Sequence, residues 1–282
     1  MTWYSRREIA FGGAAIAALA IAPTGRAQAA RIQLSGSMKQ GGLVIGRAAG
    51  AVSARVDSAP VKVSPDGIFT FGLEYDQTTP SLVAVGFSDG SSETASVAAV
   101  IRQYETQTIN GLPEHLVKPT AEEQKRIDGE HARVAEARKT NSDATWFAEP
   151  FDWPADGIIS GLFGSQRILN GVPSAPHFGV DIAAGEGAPI RACASATVLL
   201  ADEFFLEGNF TLLDHGHGVF TSYMHQSKLL VKLGDQIERG QMIGRVGKTG
   251  RATGPHLHWG MNWFQVRLDP SLSTRLPAPT KA

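Results

Sequence analysis

Short runs of alternating apolar and polar residues set the rhythm of this chain. Between residues 30 and 112 they read RIQLSG, LVI, VKV, IFTF, LVAVGF and ASVAAVI, with the turn sequences SPDG and SDGS between them. Strand-length runs recurring at roughly ten-residue intervals predict a small β-sandwich of the immunoglobulin-like kind. From about residue 151 the texture returns in ATVLLAD, FTLLDH, VFTSYMH and GQMIGRVG, punctuated by glycines. No apolar period of a helix about ten residues long interrupts these runs. The expected fold is mainly β: an antiparallel sheet or barrel-like second domain, loops over one face, preceded by the immunoglobulin-like sandwich and a linker helix.

That helix is predicted after Pro113 and Pro119. Thr120 and Glu123 have capping-box spacing, Glu122 and Arg126 are placed to pair four apart, and Ile127, His131, Val134 and Arg138 fall on one stripe. So thin a stripe suits a helix lying across a domain surface. Trp146, Phe147, Phe151 and Trp153 in WFAEPFDWP are expected to seal a sheet edge. The resulting division is 1–29, 30–112 as the sandwich, 113–150 as the linker with its helix, and 151–282 as the second domain.

The first segment reads as an address. Ser5, Arg6 and Arg7 precede an apolar stretch from Ile9 to Ala22, and Ala27, Gln28 and Ala29 form an A-x-A cleavage site. The paired arginines favour a twin-arginine signal over a Sec signal. The stretch is too short to span a bilayer comfortably, so the mature chain is expected to start near Ala30, exported to the periplasm or cell wall without stable membrane insertion.

Composition narrows the partners. A formal net charge of −1, with no polybasic run, excludes a nucleic-acid binder of the usual electrostatic kind. One cysteine, Cys193, allows neither an internal disulfide nor a thiolate metal cluster; in IRACASATV it reads as a small buried residue.

The candidate chemistry lies in three short segments: His177 and Asp181 in PHFGVD, His225 in YMHQS, and His256 with His258 in GPHLHWG. Catalytic zinc takes three nitrogen or oxygen ligands and keeps a fourth position open, and histidines with one carboxylate are a common set. Four residues of extended chain span roughly 13 Å, so His177 and Asp181 need a bend, which Gly179 can supply. Two apart on a strand, His256 and His258 point to one face while Leu257 and Trp259 point to the other. Spacing alone leaves open whether both imidazoles bind metal or one moves protons.

The stretches SGLFGSQRILNGVPSAPHFGVDIAAGEGAPIRA, GNFTLLDHGHGVFTSYMHQS and VKLGDQIERGQMIGRVGKTGRATGPHLHWG resemble the lysostaphin/LytM family of zinc endopeptidases, in the family's order. The resemblance covers residues 156–270. It implies a single zinc held by His177, Asp181 and His258, with His225 and His256 as catalytic proton-transfer and transition-state groups. It also implies hydrolysis of peptide cross-links between peptidoglycan stem peptides, with zinc-bound water as nucleophile. The alternative is a catalytically silent relative that binds and activates cell-wall amidases. No HExxH helix is present, so the expected general base is histidine rather than glutamate.

The other histidines read as structural: His215 and His217 in the turn DHGHG, His115 and His131 as surface or packing residues. Asn209 and Tyr223 match positions often polar near the family's cleft, though a turn asparagine and a half-buried tyrosine fit equally. Gln226 stands where relatives usually carry leucine. KLGDQIERGQMIGRVG resembles a lipoyl-like hairpin pair but lacks the tip lysine, and is taken as structural.

Overall fold

A computed structural model describes residues 30–277; the expected signal, residues 1–29 with the twin arginines and the Ala27–Ala29 site, lies outside the described residues. Seven short strands follow: β1 (Gln33–Gly36), β2 (Leu43–Arg47), β3 (Ala51–Val56), β4 (Ala59–Val61), β5 (Ile68–Gly72), β6 (Ser81–Phe87) and β7 (Ser92–Val97). They form two antiparallel sheets, ordered β1-β2-β5 and β4-β3-β6-β7. Alternation sets their faces. In β6, Val83, Val85 and Phe87 are buried while Leu82 is exposed, and they join Val44, Phe69 and Phe71 in one core. The sequence pattern misses β3, because only Ala54 and Val56 in AVSARV turn inward.

The linker is more ordered than its prolines suggest. β8 (Thr106–Ile109) pairs in parallel with β10 (Gln166–Leu169), so residues before the expected boundary at 112 hydrogen-bond to the C-terminal part. A short helix, α1 (Glu114–Val117), precedes α2 (Ala121–Ala137). Thr120 and Glu123 form the capping box at the start of α2. Arg126 pairs with Glu130 at 2.7 Å rather than with Glu122, because Glu130 is drawn inward to accept the Phe205 backbone N–H at 2.8 Å. Ile127 and Val134 are buried but His131 is not. Val134 packs on Phe204, Phe210, Leu212 and Phe220, fixing α2 against one face of the main sheet.

That sheet uses β9 (Ile158–Gly161), β12 (Val180–Ala183), β14 (Ala196–Phe204), β15 (Gly208–Asp214), β16 (Val219–Gln226), β18 (Gln236–Ile237), β20 (His256–Trp263) and β21 (Val266–Leu268). Its order is β18-β14-β15-β16-β20-β12-β9, with β21 also on β20, and every pairing is antiparallel. The path is an open sheet rather than a closed barrel. β13 (Pro189–Arg191), β17 (Lys228–Leu229) and β19 (Met242–Arg245) make a small second sheet, and β11 (Val172–Pro173) extends β10. The lipoyl-like segment is divided between the two sheets, β18 on the edge of the main one and β19 in the middle of the small one.

Phe147 and Phe151 do not seal an edge. Both are fully buried in the core with Ile182, Tyr223, Leu257 and Trp259, against the rings of His217 and His215 at 5.0 and 5.1 Å. Trp153 meets Trp259 edge-on at 5.5 Å. Cys193 lies in the same core.

Candidate metal centre

β20 lies between β16 and β12, and this neighbourhood assembles the site. Asp181 is opposite His258 in the β12–β20 register, and Met224 is opposite His258 in the β16–β20 register. His177 arrives from the loop before β12, through a bend at Gly179. A Cβ at Gly179 would run into His258 Nε2 and the Trp259 carbonyl, so the bend also makes room for that ring.

Three atoms converge. His177 Nε2 is 2.9 Å from Asp181 Oδ1 and 2.8 Å from His258 Nδ1, and His258 Nδ1 is 3.0 Å from Asp181 Oδ1. A tetrahedral zinc with nitrogen and oxygen ligands separates them by about 3.3 Å, so the triangle fits such an ion after small ring movements. Its chemistry fits as well. His177 Nδ1 donates to the Leu162 carbonyl at 3.0 Å, which leaves Nε2 as a lone pair aimed at the cluster. Burial, against the opposing Asp181 hydrogen bond, lowers the His258 ring to about 4, so it is neutral at pH 7. Burial pushes the Asp181 carboxyl up, but His177 and His258 outweigh it and hold the group well below the usual carboxylate range.

His225 is placed by a distortion. On β15, Asn209 and Thr211 face Gln226 and Tyr223, so β16 carries one extra residue, and His225 has φ +64°. Simple alternation would send His225 toward the core with Tyr223; the bulge can re-aim it. Its Nδ1 donates to the Thr249 carbonyl at 2.8 Å, and its ring centroid is 4.8 Å from that of His256. Burial, then the neighbouring His256 and His258, pull the ring down to about 3. His256 Nδ1 donates to the Gly254 carbonyl at 2.9 Å, and its Nε2 is 3.9 Å from Asp181 Oδ1. All five sequence candidates thus border one groove of about 560 Å³.

Other expectations change. Tyr223 is fully buried and donates to Cys193 Sγ at 3.1 Å, inside the core and away from the groove. Asn209 donates to the Gln226 carbonyl at 2.9 Å, and Gln226 donates to Thr211 Oγ1 at 2.9 Å; both brace strands. His131 is exposed but lines the groove, 3.1 Å from Glu207. The residue sequence reasoning missed is Arg167, whose Nη2 donates to Asp181 Oδ2 at 2.8 Å. An arginine inside the short strand QRIL was the available signal, since a charge there needs a partner.

Residues 175–270 match the model of peptidase family M23. The peptidoglycan DD-endopeptidase ShyA of Vibrio cholerae is 44% identical over 85 residues, 30% of this chain and 20% of that protein. The DD-carboxypeptidase/endopeptidase Mpg of Neisseria gonorrhoeae is 38% identical over 103 residues, 36% of this chain and 24% of that one. The chain thus spans about a fifth to a quarter of the length of these curated relatives. A crystal structure from Pseudomonas aeruginosa, assigned to peptidase M23, superposes with a TM-score of 0.66 at 29% identity, covering 84% of this chain and 94% of that one. Residues 175–270 thus carry this chain's match to peptidase family M23, in line with the lysostaphin/LytM resemblance of its motifs.

Proposed function

We propose that this protein is an exported zinc metalloendopeptidase that hydrolyses peptide cross-links of bacterial peptidoglycan. The observation that carries this reading is the triangle of His177, Asp181 and His258, whose ligand atoms all lie within 4.8 Å of one another, beside two further imidazoles on a groove. The substrate class rests on relatives named as peptidoglycan DD-endopeptidases and a DD-carboxypeptidase/endopeptidase. Export rests on the leader-like residues 1–29; among the described residues no helix is long and apolar enough to cross a membrane. We retain the division into 30–112, 113–150 and 151–282 as part of the proposal.

Zinc held by His177, Asp181 and His258 would supply Lewis acidity toward a carbonyl oxygen and acidify water. The remaining work falls to the chain. Hydrolysis joins a water oxygen to the carbonyl carbon, breaks the C–N bond and delivers a proton to the departing nitrogen. His225 and His256 each keep Nε2 free of the carbonyl that fixes Nδ1, so each can accept the water proton, return it, or hydrogen-bond the developing oxyanion. Arg167 orients Asp181.

A silent regulator of amidases has no need for five convergent polar groups, which disfavours that alternative. The test is to incubate the mature, zinc-loaded protein with purified sacculi and separate the muropeptides. Loss of cross-linked dimers that a chelator abolishes is expected; unchanged dimers would put the regulator first.

A further inference from the structure

The groove holds more positive charge than its own carboxylates neutralise. Arg167 is bound to Asp181 at 2.8 Å and His131 to Glu207 at 3.1 Å. Arg251 and Arg267 also line the groove, yet among the described residues neither forms an ion pair. Arg251 is half-buried, and among the described residues its one side-chain hydrogen bond is a long one, 3.5 Å to the Leu116 carbonyl. Arg267 is exposed, its guanidinium carbon 5.6 Å from the centre of the Phe178 ring. Burial lowers the Arg251 pKa; Glu207 opposes this and the like charge of Arg167 adds to it. A half-buried guanidinium next to another cation, without its own anion, is an incomplete arrangement.

The position of Arg251 indicates what would complete it. The loop between β19 and β20 supplies the Thr249 carbonyl that fixes His225 and the Gly254 carbonyl that fixes His256. Arg251 lies between them on this loop, its backbone N–H bound to the Leu206 carbonyl at 2.8 Å. Gly250 and Gly208 pack so closely that a Cβ on either would strike the other segment's backbone, holding the loop in place. Arg251 therefore belongs to the side of the groove where His225 and His256 could deliver a proton to the leaving nitrogen.

We propose that Arg251 receives a carboxylate borne by the substrate residue on the amine side of the scissile bond, making it a specificity-determining residue. A guanidinium presents a planar fork of donors matched to a carboxylate. A carboxylate on the carbon next to the leaving nitrogen would lie beside the histidines that protonate that nitrogen. Arg267, on the exposed rim, adds attraction at longer range. This assignment rests on the hydrolase reading above.

The test compares two muropeptide dimers, one free and one amidated at the carboxylate adjacent to the cross-link nitrogen. Zinc-loaded wild-type protein should cut the free dimer with a kcat/KM about tenfold to a hundredfold higher. Arg251→Gln should bring that preference close to one, and Arg251→Lys should recover part of it. Equal cleavage of both dimers by the wild-type protein overturns the inference, as does a full preference retained in a folded Arg251→Gln protein. The wild-type preference is decisive even if the variant fails to fold. Cleavage of neither dimer overturns the hydrolase reading itself, a result distinct from equal cleavage of both.

Discussion

Arg167 donates from Nη2 to Asp181 Oδ2 at 2.8 Å, leaving Asp181 Oδ1 to face His177 and His258. One carboxylate oxygen is held by a cation of the protein and the other is presented to the cluster. A partner of this kind fixes ligand orientation, and its loss typically weakens metal binding by about 10-fold to 100-fold. Arg167→Gln is expected to weaken zinc binding by that factor, measured by competition with a chromophoric chelator. Unchanged affinity would remove Arg167 from the site.

Zinc content would separate the proposed ligands from the proposed proton carriers. Asp181→Ala and His258→Ala should lose zinc and turnover together, because each removes a converging atom. His225→Ala should retain zinc while turnover falls by roughly a hundredfold. Metal analysis of the purified variants checks this; equal zinc loss from His225→Ala and His258→Ala contradicts the assignment.

Gly179 leaves space for the His258 ring. In Gly179→Ala the new Cβ would meet His258 Nε2, and the Trp259 carbonyl oxygen at 2.8 Å. Overpacking of this kind costs about 1–3 kcal/mol, and here it would also displace His258, one of the three proposed ligands. Denaturant unfolding and zinc titration should both register the change. A variant with normal zinc affinity would mean that the loop yields more easily than its packing indicates.

His215 gives a pH signature away from the cluster. It is fully buried, and burial lowers its ring from 6.5 to about 4. Its Nδ1 donates to the Ser195 carbonyl at 2.8 Å, and Nε2 lies 2.7 Å from Thr221 Oγ1. The unfolded chain takes up this proton first as pH falls, so the contribution is fully present above pH 6.5 and is lost toward about pH 4. The full loss is about 3 kcal/mol. Unfolding free energies of the wild type and His215→Gln, measured at several pH values, should differ in slope by up to about one proton across that window. Parallel slopes would place this histidine's titration elsewhere.

The convergence of the five candidates on one groove was legible because metal-ligand chemistry restricts residue types and strands have period two. HxH on β20 sends two imidazoles to one face, and Gly179 allows the bend that joins His177 to Asp181. Arg167 was not legible, since its partner is 14 residues away and the contact depends on β9, β10 and β12 coming together. Tyr223 was left open between cleft and core for a related reason: a strand tyrosine can face either, and here the Cys193 and Thr221 side chains take its hydroxyl inward.

By itself the sequence determined the β character of the chain, the capping box of α2 and the identity of the five polar candidates, because alternation, end capping and metal-ligand chemistry are local properties of residue order. Tertiary structure decided which imidazole faces what. The bulge at His225, the carbonyls of Thr249 and Gly254, and the arginine behind Asp181 arise only when segments distant in sequence pack side by side.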